Sequence, residues 1–267
     1  MDLIRRWSVG LFALGSLQAL QLRPDTADAY DRYIKLTEAD ARDRSGKGAF
    51  LWLDQHRREK SLVWLNQNFV TAHRTLDREE EIPVPNGAIQ DWMGEIFLPG
   101  VTVEQVRDVL LDFARYKKFF PSEMLESRLE KREGDHFEAF LRFSKRQISK
   151  VMLNAKCAVQ YEALDPSHVS IVARSTHIGE VRNPGRKPYE EEQPVESEYG
   201  FLWRLTWYWR LEQADGGVYA ELEVISLSKD EGLLGRGRLL NGFVDRFSKD
   251  LTQDMTERTR QLLASGR

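Results

Sequence analysis

The stretch that most constrains this chain is a hairpin written over residues 199–228. Ahead of its turn, Phe201, Trp203, Leu205, Trp207, Trp209 and Leu211 hold odd positions while Arg204 and Arg210 hold even ones. Beyond the turn, Val218, Ala220, Leu222 and Val224 alternate with Glu221 and Glu223. Side chains of a strand point to opposite faces in turn, so both runs read as strands with one apolar and one charged face. Asp215-Gly216 is a favoured two-residue turn. Centring the hairpin there pairs Arg210 with Glu221, Trp209 with Leu222 and Trp207 with Val224. A slip of one residue would send every tryptophan to the other face. Three of the chain's seven tryptophans, Trp203, Trp207 and Trp209, therefore crowd one side of one segment. Such a side suits a stiff core, a stacking platform for bases, or the wall of an apolar pocket.

The segment best suited to cover that side is the last one. From Leu233 to Leu263, Leu240, Phe243, Val244, Phe247, Leu251, Met255, Leu262 and Leu263 recur at helical spacing among charged residues. Gly235, Gly237 and Gly242 sit in its first turns, and each weakens a helix by about 1 kcal/mol relative to alanine. The order of elements before the hairpin is equally informative. "AIQDWMGEIFLPG" reads as a strand stopped by Pro99 and Gly100. Thr102, with Gln105 three residues on, forms a capping box for a helix whose apolar face is Val103, Val106, Leu110 and Phe113. A second short helical piece runs through "ARYKKFF" to Pro121. Strand-like runs follow at about 123–132, 135–144, 148–162 and 168–178, separated by turn signals such as "EGD" and "LDPS". The loop "RNPGRKPYEEEQPVESE" is most simply a solvated connection.

Upstream, residues 24–45 predict a charged helix with a stripe through Ala27, Tyr30, Ile34 and Ala41. "FLWLDQ" is short and apolar, "RREKSLVWLNQ" predicts a second, shorter helix, and "NFVTAHRTL" alternates as a strand. The prolines and glycine of "EIPVPNG" then mark the start of the main domain, so 24–86 is a mostly helical extension and 87–264 the domain proper. At the N-terminus, Arg5 and Arg6 precede an apolar run from Trp7 to Leu20. That run is shorter than the roughly 20 residues a membrane-spanning helix needs. Residues 1–20 are expected to be an export signal, placing the protein in a periplasm or outside the cell, or anchored at a membrane if uncleaved. A buried or interfacial helix is the other reading.

Several function classes fall away. The formal net charge of −3 gives no general attraction to phosphate, and no basic stripe is free of interleaved acids, so no nucleic-acid partner is expected. The single cysteine, Cys157, excludes an internal disulfide framework and a cysteine-rich zinc site. It reads as a small buried apolar residue. No two histidines or acids have a convincing metal spacing, no serine sits in a nucleophile elbow, and no metal or cofactor is expected. His136 and His168 lie beside turns. His177 has the opposite strand parity to both Arg174 and Glu180, so regular pleating does not bring the three together.

The stretch "VTVEQVRDVLLDFARYKKFFP" after the first strand, and the closing "GGVYAELEVISLSKD" with the helix beyond, resemble the START, Bet v 1 and polyketide-cyclase superfamily. "FLWRLTWYWRLEQADGGVY" is also similar to a bacterial group of exported proteins carrying such a domain. The resemblance covers about 87–264. It implies an α+β helix-grip fold: a curved antiparallel sheet of about seven strands wrapped around a long C-terminal helix, with two short helices after the first strand. It also implies an internal cavity for an apolar ligand. The expected function is non-catalytic binding or carriage of a hydrophobic small molecule, lipid or isoprenoid-like, with transient membrane contact. Its wall is expected to comprise Trp203, Trp207, Trp209, Val224, Leu240, Phe243, Val244 and Phe247. Two alternatives stand beside it. One is a cyclase- or hydrolase-type enzyme using His177 or Arg174, and the other is an interaction module with a filled core.

Overall fold

The structure, a computed structural model, describes residues 22–66, 70–73, 83–121, 124–145, 151–186, 191–195, 200–229 and 237–265, without the side chains of 66, 70–73, 145 and 237–248. The expected export segment lies outside these residues. Among those described, no helix is long and apolar enough to cross a membrane.

The chain begins with α1 (Pro24–Gly46), a 3-10 turn at Trp52–Gln55, α2 (Arg57–Asn66) and a short strand β1 (Val70–His73). The main domain follows as β2 (Gly87–Pro99), α3 (Val103–Leu110), a 3-10 turn, and α4 (Tyr116–Phe119). It continues with β3 (Met124–Glu133), β4 (His136–Lys145), β5 (Val151–Ala163), β6 (His168–Arg182), β7 (Glu191–Glu192), β8 (Arg204–Ala214) and β9 (Gly217–Lys229), and ends with α5 (Gly237–Ala264). The strands form one antiparallel sheet ordered β1-β2-β9-β8-β6-β5-β4-β3, with β7 added to the end of β6. The seven expected strands are therefore joined by two short ones. One of these, β1, comes from the extension, and the other makes the start of the 191–192 segment part of the sheet edge instead of a plain loop.

Local chemistry explains the punctuation. Thr102 caps α3 reciprocally with Gln105: the Gln105 N–H donates to Thr102 Oγ1 (3.4 Å), and the Thr102 N–H donates to Gln105 Oε1 (2.9 Å). At the β8–β9 turn, Asp215 and Gly216 both have positive φ, 52° and 78°. That is the twist a tight hairpin requires, which aspartate and glycine tolerate. The register that results is the expected one, with Arg210 opposite Glu221, Trp209 opposite Leu222 and Trp207 opposite Val224.

Both faces of the sheet's central strands are covered. The inner face packs with α3, α4 and α5 into the largest core, which includes Ile96, Leu98, Val106, Leu110, Phe113, Leu141, Leu205, Trp207, Trp209, Leu222, Leu251 and Met255. The outer face was expected to be the charged, open one. Instead α1 lies over it, packing Tyr30 and Ile34 against Tyr208, Ile225 and Leu227. The following segment seats Leu51, Leu53 and Val63 against Phe97 and Tyr219. The extension thus forms a third layer.

Candidate functional site

Trp207 and Trp209 face the inner core, as their parity requires. Trp207 lies in a cross-strand row with Ala173, Val224 and Trp92, and Trp209 in a row with Ile171, Leu222 and Gly94. Trp207 has a small neighbour on β6, Ala173, whereas Trp209 stands between Ile171 and Leu222. The filling is close: Trp209 and Val224 are 0% exposed and Trp207 3%. No water-sized gap adjoins Trp209 or Val224, where the resemblance implied the wall of a cavity.

Trp203 departs from its expected place. It precedes β8, and it packs with the outer cluster of Tyr30, Ile34 and Leu227, whereas Leu202 joins the inner core. The alternation breaks between Leu202 and Leu205 because the chain bends at Trp203 before entering the strand. The helical wall residues Leu240, Phe243, Val244 and Phe247 fall within α5, but their side chains lie outside the described residues.

One feature of the inner core is chemically incomplete. The Trp209 indole N–H is buried without a hydrogen-bond acceptor. Leaving such a donor unpaired costs about 1–3 kcal/mol.

The outer face holds a buried charge cluster that strand alternation did not reveal. Arg210 donates to Glu221 (2.5 Å) and Glu223 (2.9 Å). Arg44 from α1 approaches Glu221 at 3.5 Å, and the Trp52 backbone N–H donates to Glu221 at 2.6 Å. Glu95 of β2 stands opposite Glu221 in the ladder. All five charged residues are at most 5% exposed. Burial, then the neighbouring Glu221 carboxylate, hold Glu95 well above the usual carboxylate range. Burial also works against charge on Glu221, but Arg210, Arg44 and the Trp52 N–H outweigh it and keep Glu221 low. Two guanidinium groups thus meet three carboxyl groups, and the surroundings favour the neutral form on Glu95. Around the cluster, Tyr33 donates to Asp91 (2.9 Å) and Tyr208 to Glu38 of α1 (2.9 Å).

The residues considered for catalysis lie on this outer side. Arg174 pairs with Glu38 of α1. His177 Nε2 meets Glu192 Oε2 at 2.8 Å, and Glu192 also accepts from Asn154 (2.8 Å). A register shift near Cys157 leaves Thr176 unpaired between Ser175 and His177. That bulge inverts the pleat and puts Arg174 and His177 on the same face, where simple parity separated them. Neither belongs to the inner core cluster. Cys157 does, and burial raises its thiol to about 12. His168 is half-buried against Asp165 (2.9 Å) and Phe50. Among the described residues, no group of three His, Cys, Asp or Glu side chains is placed to hold a metal ion.

An antiparallel sheet with two short helices after the first main strand and a long closing helix is a helix-grip arrangement. The chain is similar to a fragment of a STAR-related lipid transfer protein from Xanthomonas axonopodis, at 15% identity and a TM-score of 0.45, covering 73% of this chain and 98% of that one. It is similar to a START superfamily protein from Mycobacterium smegmatis, at 10% identity and a TM-score of 0.43, over 67% and 99% of the two chains. It is also similar to the Zhui aromatase/cyclase from Streptomyces, at 13% identity and a TM-score of 0.43, over 67% and 99%. No family model matches the sequence, and no curated protein matches it.

Proposed function

We propose that the protein binds or carries a hydrophobic small molecule, lipid or isoprenoid-like, between the inner sheet face and α5, without chemistry. The observation that carries this reading is the Trp209 indole N–H, which lacks an acceptor in a core of apolar side chains. An apolar ligand bearing one oxygen acceptor satisfies that donor and leaves its remaining surface against carbon. Trp209 is fully enclosed, so entry requires the helical cover of the inner face, α5 included, to move off the sheet. Gly237 and Gly242 lie in the first turns of that helix, where each lowers its intrinsic stability by about 1 kcal/mol relative to alanine.

Native mass spectrometry with solvent extraction, on the full chain from its own host, is expected to find a bound apolar molecule carrying an oxygen acceptor. Trp209→Phe keeps a ring but removes the N–H, so it is expected to weaken that molecule's binding more than that of a pure hydrocarbon probe. A protein that carries nothing, and that binds no apolar probe while folded, refutes the reading and leaves a packed core.

A further inference from the structure

We infer that the solvent face of α2 is a docking surface for an anionic lipid membrane. The observation is an amphipathic helix turned inside out. Of the helix's apolar residues, only Val63 is buried, against Leu53, Phe97 and Tyr219. Leu62, Trp64 and Leu65 are 46%, 45% and 66% exposed. At about 100° per residue, Leu62, Trp64 and Leu65 spread around the side opposite Val63. Arg57, Arg58 and Ser61 fall in the same exposed sector one or two turns earlier. The remaining cation, Lys60, is turned inward onto Asp54 (2.6 Å) and Glu212 (3.1 Å). An ordinary surface helix does the reverse, turning leucine and tryptophan to the core and lysine to water.

Charge selects the partner. Arg57 and Arg58 are exposed, and neither has a carboxylate partner among the described residues. Among the described residues, Asp54 and Glu212 hold Lys60, and Asp215 accepts from the Tyr219 hydroxyl. Glu59 is half-buried and leaves the sector positive. A basic first turn followed by tryptophan and leucine matches an anionic headgroup layer above an acyl layer. Area argues against a protein partner. Three partly exposed side chains on a convex ten-residue helix fall far short of the roughly 800 Å² per partner of a stable protein interface. The other exposed large apolar residues, such as Leu36, Leu129, Leu164 and Val195, lie on separate elements and form no comparable patch. This inference is independent of the interior ligand, and either can fail alone.

Vesicle flotation of the full chain tests it, using phosphatidylcholine alone and phosphatidylcholine with roughly one-third phosphatidylglycerol. Wild type is expected to float with the anionic vesicles, and about tenfold or more less after Arg57→Glu with Arg58→Glu. The combined Leu62→Ser, Trp64→Ser and Leu65→Ser protein is expected to lose flotation at an unchanged thermal midpoint, because these side chains already meet water. Residues 5–20 carry a second basic pair and apolar run, so every variant keeps them. Flotation that survives both α2 variants assigns the membrane contact to that segment and overturns the inference. So does no flotation, equal flotation on neutral vesicles, or self-association that vanishes with the serine variant.

Discussion

Two glutamates that face each other across one ladder position, Glu95 and Glu221, should respond unequally to the same substitution. Burial and the Glu221 carboxylate favour the neutral form of Glu95, so Glu95→Gln, a neutral group of similar shape, is expected to cost less than about 1 kcal/mol at neutral pH. Glu221 is ionised and engaged by Arg210, Arg44 and the Trp52 N–H. Glu221→Gln leaves two buried guanidinium groups against the single carboxylate of Glu223, and removing one member of a buried ion pair costs about 3–5 kcal/mol. The pH dependence separates the two further. A carboxyl raised by folding contributes stability that is complete below the ordinary carboxylate range. That contribution declines as pH rises towards the folded value, at about 1.4 kcal/mol per pH unit for one proton. Glu95→Gln removes this decline, so the variant gains on wild type as the solution is made alkaline. Glu221, lowered by folding, contributes stability above the ordinary range, lost as pH falls through its folded value. Urea denaturation of wild type and both variants, from about pH 5 to about pH 9, reads these differences directly. Equal losses for the two variants, or a pH slope untouched by Glu95→Gln, would refute the shared-proton reasoning.

Two further outcomes follow from the packing. The Tyr30 hydroxyl of α1 bonds Thr206 Oγ1 (3.0 Å) and donates to the Ile225 carbonyl (3.1 Å), so Tyr30→Phe is expected to cost about 1–3 kcal/mol in denaturation midpoint analysis. A loss below about 0.5 kcal/mol would show that α1 is not anchored there. Cys157, with its thiol raised to about 12 by burial, is expected to react with a disulfide reagent at mildly alkaline pH only when the protein is unfolded. Rapid labelling of the native protein would overturn its place in the inner core.

The hairpin register and the capping box were legible because each rests on a local rule. Two residues of turn chemistry at Asp215-Gly216 fix which side chains meet across β8 and β9, and a threonine three residues before a glutamine fixes where α3 starts. The position of Trp203 was not legible, since it lies just outside the strand whose alternation was extrapolated to it. The bulge at Thr176 escaped for a similar reason: nothing in "RSTHI" marks the extra residue, yet one unpaired position reverses every face assignment after it.

Alternation also distinguishes an apolar face from a charged one without saying which of them meets water. Arg210, Glu221 and Glu223 read as a charged face, and α1 and the Leu51–Leu53 segment bury all three. The signal for this cover was divided between distant parts of the chain. Tyr30 and Ile34 already formed a stripe on α1, and that stripe needed an apolar surface to meet. The inner face was claimed by the C-terminal helix, so the outer face alone remained. What alternation could not supply is how a sheet face bearing glutamates accepts a buried helix. Arg44, eleven residues beyond Tyr33 on the same helix, reaches Glu221 at 3.5 Å, and the neutral form favoured on Glu95 lowers the enclosed negative charge. The extension is therefore matched to the sheet in charge as well as in shape, and the ionic cluster beneath it is the link between them.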